Sequence, residues 1–519
     1  MTMIHSNLGD AIYSGGHLDT PALMDYGPDA NGDSSRSSWS FRQLDESSNA
    51  VARGLLGIGL QRGDRVAIAS ANRAEYLASF FGIMRAGLVA VPVNIKLPSA
   101  GVQYIIRDSG AKLVLADAER MELCSAAIPR ICFDGRGNDS FSALMSPGQF
   151  EAVPPDPRQP AMFLYTSGST GKPKGVVLSH ESHLWVLEKR RSPPHTERQR
   201  LLVAAPLYHM NALATSHAAI AQGDSVVLLS GFTARKYIDA IARYQCTTLT
   251  AVPTMIAMIL QQRELLLHTD LSSVRNIRMG SAPVSPGLFR SIREFFPKAQ
   301  IANVYGTTEA GPVVFAAHPD GLETPQGSLG YAHPDVQLRL RAGTELVAGE
   351  GILEIKCPAL MKGYHNLPEL TAAVLTPDGY YATGDVFRRD DNGFFFFIGR
   401  MDDMFVCGGE NIYPGEVERM LELHPGVQQA CVVAIPDEIK WRKPVAFVVA
   451  RPGVDVSENE IRDYALQAGP AYQHPRRVWF LDQLPLSGTN KIDRNALAQV
   501  AIAKIASEHS QGFGDGEAH

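Results

Sequence analysis

The sequence predicts an α/β protein: a large N-terminal domain of parallel-rich sheets covered by helices, with a small β-barrel added, then a small α+β C-terminal domain. Three observations carry this reading. From Ser40 onward, short apolar strands alternate with helical spacings, the pattern of parallel sheets whose faces are covered by helices. Between about 320 and 398 the character changes to glycine-rich turns and short strands, a small barrel or sheet. Past Gly399-Arg400-Met401-Asp402 a smaller unit begins, which places the domains at 1–399 and 400–519. A chain of 519 residues also exceeds the size at which one hydrophobic core keeps growing.

Residues 1 to about 40 carry little pattern, and 27–38, rich in Gly, Asp and Ser, read as a loop or hairpin tip. Residues 41–56 have helical spacing. A buried strand at 65–69 follows the Gly63-Asp64 turn, an apolar helix at 75–86 ends at Gly87, and 89–93 and 112–116 are further strands. The Pro-rich stretch 153–160 leads into an apolar strand at 161–164 that feeds a loop at 165–175. Residues 201–205 are a strand, and 212–221, uncharged and helical, belong in the interior. Strands follow at 225–229, 247–252 and 274–279. The last hairpin before residue 400 turns at Asp391-Asn392-Gly393. In the C-terminal unit Pro414 opens a helix through 423, in the first turn where its missing N–H costs nothing. Strands are expected at 427–435 and 444–450. Ser457 and Glu460 form a capping box ahead of a helix at 461–467, and the polar tail beyond about 505 is expected to fray.

Apolar residues make up 45% and charged residues 20%, an ordinary globular composition. The net charge of -6 gives no reason to expect nucleic acid or an anionic membrane as partner. Six scattered cysteines without a C-x-x-C pair read as reduced, buried thiols. The N-terminus lacks a signal-peptide pattern and no apolar run reaches spanning length, so a cytoplasmic protein without a membrane span is expected.

The most informative stretch is Tyr165-Thr166-Ser167-Gly168-Ser169-Thr170-Gly171-Lys172-Pro173-Lys174-Gly175. Its three glycines let backbone approach a ligand closely. Between them stand four hydroxyls, Thr166, Ser167, Ser169 and Thr170, and two cations, Lys172 and Lys174. Exposed N–H groups, hydroxyls and ammonium charges together suit a polyphosphate. It is not a Walker A loop, because only Ser169 and Thr170 separate Gly168 from Gly171 and Pro173 follows Lys172. Asn303-Val304-Tyr305-Gly306-Thr307-Thr308-Glu309 offers hydroxyls and a carboxylate of the kind that shares Mg²⁺ with ligand phosphates, although alone it reads as an exposed Glu in a turn. Tyr381-Ala382-Thr383-Gly384-Asp385 places an Asp after a Gly turn, suited to a ribose diol. Lys491 sits in a polar loop.

In this order, with Gly280-Ser281-Ala282-Pro283, Gly399 to Asp403 and Gly408-Gly409-Glu410-Asn411-Ile412-Tyr413-Pro414, these stretches resemble the adenylate-forming superfamily: acyl-CoA synthetases, peptide-synthetase adenylation domains and beetle luciferases. The chain most resembles an acyl-CoA synthetase, and the resemblance spans about 40 to 500. It implies an enzyme that forms an acyl-adenylate and pyrophosphate from a carboxylic acid and ATP, then passes the acyl group to CoA. It further implies that the glycine loop holds the β- and γ-phosphates, that Ala282, Pro283 and Tyr305 flank the adenine, and that Thr308 meets the α-phosphate. Glu309 would ligate Mg²⁺, Asp385 and Arg400 hold the ribose, and Lys491 reach the carboxylate and α-phosphate. Lys491, Thr308, Glu309 and His209 form the implied catalytic set, without a catalytic-triad role for histidine. The small domain is implied to swing about Asp402, withdrawing Lys491 and presenting Gly408 and Gly409 to a thiol tunnel. Trp441, Arg476 and Arg477 are candidates for contacts to CoA. Asn490 stands where family members usually carry Gly, and Asn tolerates left-handed backbone best among the other residues.

By the same resemblance, residues 208–214 and 279–281 line the acyl pocket. Asp224 is the one charge between 201 and 229, so an apolar or aromatic monocarboxylic acid is the default, and alternation after Met279 turns Arg278 away from the site. The alternatives are a dicarboxylate substrate, a carrier protein as acceptor, and a nucleotide-binding pseudoenzyme. A homodimer is admitted as the assembly.

Overall fold

The computed structural model describes residues 6–512 apart from 27–35, 157–158, 168–171, 192–196, 281, 283, 285, 408, 438–439 and 488–490. The first half largely alternates strand and helix because its short apolar runs form buried strands, most of them followed by a helix. In order these are β1 (Pro21–Tyr26), β2 (Arg36–Ser40), α1 (Phe41–Gly57), β3 (Arg65–Ala69), α2 (Ala74–Arg85), β4 (Val89–Pro92), α3 (Ser99–Asp108), β5 (Ala111–Ala116), β6 (Arg130–Cys132) and α4 (Phe141–Leu144). Then come β7 (Pro160–Ser167), β8 (Pro173–Ser179), α5 (His180–Lys189), β9 (Arg200–Val203), α6 (Met210–Gln222), β10 (Ser225–Leu229), α7 (Ala234–Tyr244), β11 (Thr248–Ala251), α8 (Pro253–Leu260), α9 (Arg263–Leu267), β12 (Asn276–Gly280), α10 (Pro286–Phe295) and β13 (Gln300–Val304). Helix starts follow local chemistry: Ser40 and Gln43 close a capping box on α1, and Gly223, at φ +86°, ends α6.

Two seven-stranded sheets result, ordered β13-β12-β11-β9-β10-β1-β2 and, with a short strand β19 (Gly363–Tyr364), β19-β8-β7-β4-β3-β5-β6. Most neighbours are parallel. Side-chain alternation sends Val66 and Ile68 of one sheet, and Leu201 and Val203 of the other, into one core shared with α1, α2, α5 and α6. Leu202, Leu249, Ile277 and Met279 face α7, α8 and α10 in a second core, while Ala67, Ala69 and Val114 face α3 in a third. The order of layers is therefore helix, sheet, helix, sheet, helix.

The region from 315 contributes the paired β14 (Phe315–Ala316) and β15 (Tyr331–Ala332), then β16 (Gln337–Ala342), β17 (Glu345–Val347), β18 (Glu350–Lys356), α11 (Pro368–Val374), β20 (Tyr381–Arg389) and β21 (Phe395–Arg400). Its ladder runs β17-β16-β18-β20-β21, antiparallel throughout, and no bond among the described residues joins its ends. Of the barrel and the sheet expected, the open sheet is present. The last sheet takes no strand from before residue 405: β22 (Phe405–Cys407), β23 (Glu410–Ile412), β24 (Val427–Asp437), β25 (Trp441–Ala450) and β26 (Val478–Phe480), with α12 (Pro414–Leu421), α13 (Glu458–Ala468) and α14 (Arg494–Gly512).

Several expectations shift. Part of the low-pattern N-terminus is strand, since β1 pairs in parallel with β10 and antiparallel with β2; residues 27–35 lie outside those described. The strand expected at 274–279 begins at Asn276, because the Val274 and Arg275 amides serve a turn and a strand-entry bond. The tail is helical to Gly512, where Leu497 and Ala501 pack under Cys431 and Phe447. Among the described residues no helix is long and apolar enough to cross a membrane.

Arg85, 2% exposed at the end of α2, ties the N-terminal segment to this framework. Its guanidinium donates to Gly9 O at 2.9 Å, to Asp45 Oδ1 at 2.7 Å and to Asn49 Oδ1 at 2.6 Å. Asp45 is half exposed, which weakens the charge pairing. Replacing Arg85 with Met should therefore cost about 2–3 kcal/mol, below the full value for breaking a buried pair. Denaturant unfolding checks it, and an unchanged midpoint would refute the role.

Candidate active site

The glycine stretch is the tip of the β7–β8 hairpin, not a loop after a lone strand. Tyr165, Thr166 and Ser167 pair with Gly175, Lys174 and Pro173. Pro173-Lys174-Gly175 has turn chemistry in isolation, and the cross-strand ladder overrides it. Thr166 Oγ1 is buried without a partner, an orphan hydroxyl at the tip that a ligand would satisfy. Lys172 is exposed, and Lys174 Nζ lies 4.6 Å from the centroid of the Tyr364 ring. Gly168, Ser169, Thr170 and Gly171 lie outside the described residues, as does the Ser167 side chain.

Tyr364 leads to the next group. Its hydroxyl donates to Glu309 Oε1 at 2.9 Å, and Glu309 is buried at 8% exposure, not exposed in a turn. The Glu309 carbonyl accepts from Met361 N at 2.7 Å, which fixes the backbone as well. Thr307 spends its hydroxyl on the Ala310 amide, whereas that of Thr308 has no partner among the described residues. Tyr305, following β13, donates to Asp385 Oδ2 at 2.5 Å. Asp385 stands inside β20 after a left-handed Gly384 (φ +73°), so Thr-Gly-Asp is a kinked strand segment rather than a turn. Arg400, ending β21, reaches Asp385 Oδ1 at 3.2 Å and Asp402 Oδ2 at 3.5 Å. Burial raises the Asp385 carboxyl above its ordinary range, and the opposing pull of Arg400, Tyr305 and Lys491 does not fully offset it.

The small domain completes the cleft. The Lys491 ammonium is held below its ordinary value, first by desolvation and then by Arg400, with Asp385 and Asp403 opposing. It keeps solvent contact while its charge bears on groups of the large domain, as expected of a side chain in an open cleft. The Lys491 segment is rigidly backed: Arg494 donates to Glu418 Oε2 at 2.7 Å and to Val432 O at 2.9 Å. Near the domain boundary Arg419 donates to Phe397 O at 2.7 Å and to Ile398 O at 3.1 Å. Asn490 lies outside the described residues.

His209 caps α6 with its backbone only and stacks against Tyr208. Burial, aided by Lys491 and Lys96, pushes its imidazole down to about 3, so the ring is neutral near pH 7 and no proton shuttle there. Ala282 is half-buried beside the cleft; Ser281 and Pro283 lie outside the described residues. The pocket residues expected at 279–281 divide by alternation. Met279 is fully buried in the core under α7, α8 and α10, while Gly280 faces α6: a Cβ there would stand 2.8 Å from Val304 Cγ2 and 3.7 Å from Asn211 Nδ2. Arg278 shares that face, in register with Thr250 and Ala302, so it points toward the α5–α6 layer and not away.

Gly409 and Trp441, expected to meet CoA, belong to the sheet region of the small domain. Gly409, at φ +93° with open space around it, is at the β22–β23 tip; Gly408 lies outside the described residues. Trp441 pairs with Cys407, has φ +68°, and is 76% exposed. Sequence reasoning missed Tyr364 and Lys96. An aromatic after a strained Gly363 (φ +138°) was the only signal for the first.

The sequence matches the family described as AMP-binding enzyme over residues 14–365, and its C-terminal domain over 416–491. It is 33% identical over 476 residues to a fatty acid–[acyl-carrier-protein] ligase of Streptomyces coeruleorubidus, covering 88% of this chain and 90% of that protein. It is also 33% identical over 465 residues to a feruloyl-CoA synthase of Amycolatopsis sp, covering 87% and 92%. Among solved structures, an anthranilate CoA ligase in complex with anthranoyl-AMP superimposes with a TM-score of 0.85 at 26% identity, covering 97% of this chain and 99% of that one.

A raised carboxyl pKa in the folded state means that ionising Asp385 opposes folding at pH above that value, and that the cost fades as pH falls through it. Asp385→Asn should therefore raise the Tm near neutral pH, with the gain shrinking on acidification, while nucleotide binding falls. A Tm that drops at neutral pH would show the carboxylate to be structural.

Proposed function

The chain belongs to the family of AMP-binding enzymes, and from this membership we propose that it is an AMP-forming acid–thiol ligase that joins a carboxylic acid to CoA. The observation that carries the reading is the convergence, in one cleft, of Lys491 with Asp385 and Arg400, beside Glu309, whose partner Tyr364 lies under Lys174 of β8. In the first half-reaction the acid's carboxylate oxygen attacks the α-phosphorus of ATP, and the bond to pyrophosphate breaks. Two anions must meet, so the chain's contribution is positioning and charge neutralisation. Lys491 supplies the mobile cation, and the free Thr308 hydroxyl and orphan Thr166 hydroxyl supply donors to phosphate oxygens. Asp385, already accepting from Tyr305, has the acceptor geometry for a ribose diol. The neutral His209 ring walls the acid's path without taking a proton.

Glu309 suits Mg²⁺: it offers one buried carboxylate, oriented by the Tyr364 hydroxyl. That matches an ion which takes one protein carboxylate and leaves its other positions to phosphates and water. When bound, Mg²⁺ would offset phosphate charge.

In the second half-reaction the thiol attacks the acyl carbonyl and AMP departs. Gly409 has open space around it and Trp441 is 76% exposed, with neither hydrogen-bonded to Asp385, Arg400 or Tyr305 among the described residues, so the small domain would turn about Asp402, which stands 60% exposed in the short Met401–Asp403 turn. The exposed indole of Trp441, held out on left-handed backbone, favours CoA over a carrier protein, because CoA brings an adenine for it to stack on and a carrier's pantetheine arm does not.

The test separates the half-reactions. Lys491→Ala should lower acyl-adenylate formation by about three orders of magnitude, as loss of a transition-state charge contact does. Thioester formation from supplied acyl-adenylate should stay nearly intact. Asp402→Pro should slow mainly the second step by stiffening the turn. Single-turnover assays decide it, and equal losses in both halves would mean a single static site.

A further inference from the structure

Two arginines face the interior where the acyl group is expected. Arg190 follows directly on α5 and donates from Nη2 to Thr215 Oγ1 of α6 at 3.2 Å. Arg278 projects from β12 on the face that carries Thr250 and, one ladder further, Val203 of the shared core. The two charges are close enough that Arg278, after burial, pushes the Arg190 guanidinium down to about 9. No carboxylate among the described residues pairs with either. Two like charges crowded on an inward face with no carboxylate beside them form a receptor for an anion.

Their placement follows the pocket wall. Gly280 and Asn211 form an upper rung. Arg278 lies two strand residues below Gly280, about 7 Å, and Thr215 one turn below Asn211 on α6, about 6 Å. Arg278 keeps solvent access although its strand face turns inward, so open space reaches it. We propose that the acid activated here carries a second anionic group, carboxylate or sulfonate, a short chain away from the reacting carboxylate, and that Arg190 and Arg278 bind it. The inference rests on the ligase reading above and replaces an apolar acid with a dianionic one. A monoacid would leave both cations without an opposite charge, and a site built to pair with a polar group rejects an analogue that lacks it.

The experiment measures pyrophosphate release with ATP for malonate through adipate and for 3-sulfopropionate, each against the monoacid of matched length. In parallel it records the Tm shift that each acid induces. The expected result is a preference for dianionic acids of about a hundredfold or more in kcat/KM. Arg278→Leu should erase that preference and the diacid-induced Tm shift, and Arg278→Lys, which keeps the charge, should retain part of both. The sulfonate arm shows whether the pair demands a carboxylate. Release with monoacids as good as with diacids would overturn the inference and leave the ligase reading standing, as would a preference unaffected by both Arg278→Leu and Arg190→Gln. A diacid Tm shift lost in Arg278→Leu, without pyrophosphate release from any acid, would support the anion site and overturn the ligase reading. No shift and no release would overturn both.

Discussion

The cleft depends on keeping the Asp385 carboxylate ionised out of water. That carboxylate is 4% exposed, and its partners come from three separate places: Tyr305 after β13, Arg400 at the end of β21, and Lys491 from the other domain. Desolvating a carboxylate is costly, and only hydrogen bonds and opposite charge make it tolerable. The requirement forces the open five-stranded sheet against the end of the parallel sheet and places the last residue of β21 beside the domain boundary. A charge buried for function thus dictates how three layers meet.

The same electrostatics explain the posture of the small domain. Among the described residues, its polar ties to the large domain include Arg419 to the β21 carbonyls and Arg451 to Ser291. Lys491 adds a charge attraction to Asp385 but meets repulsion from Arg400. Opposing charges at such a contact fit a domain that docks and leaves, a transient association more than an obligate one.

The sequence made the parallel α/β layers legible because strand runs such as Arg65–Ala69 and Ser225–Leu229 are buried on both faces and bounded by glycine turns. The capping boxes at Ser40 and Ser457 follow from local chemistry and are present. What failed was decided by distant partners. Pro173-Lys174-Gly175 is a strand only because β7 pairs with it, and Glu309 is buried only because Tyr364 arrives from fifty-five residues away. The face of Arg278 is not legible from alternation alone, because alternation needs one residue whose face is known, and Met279, expected in the pocket, belongs to the helix-covered side. Arg190 had no local signal at all.

The bracing of Lys491 has a consequence for how such a chain diversifies. Arg494, three residues on, locks to Glu418 and Val432, which ties the lysine's segment to its own domain. The arginine pair that would choose the acid stands in the other body, on α5 and β12. Timing and choice are therefore encoded in separate parts. The pocket wall can be rewritten to accept a different acid while the arrival of the lysine stays as it was, and the docking surface can be retuned without changing what is accepted.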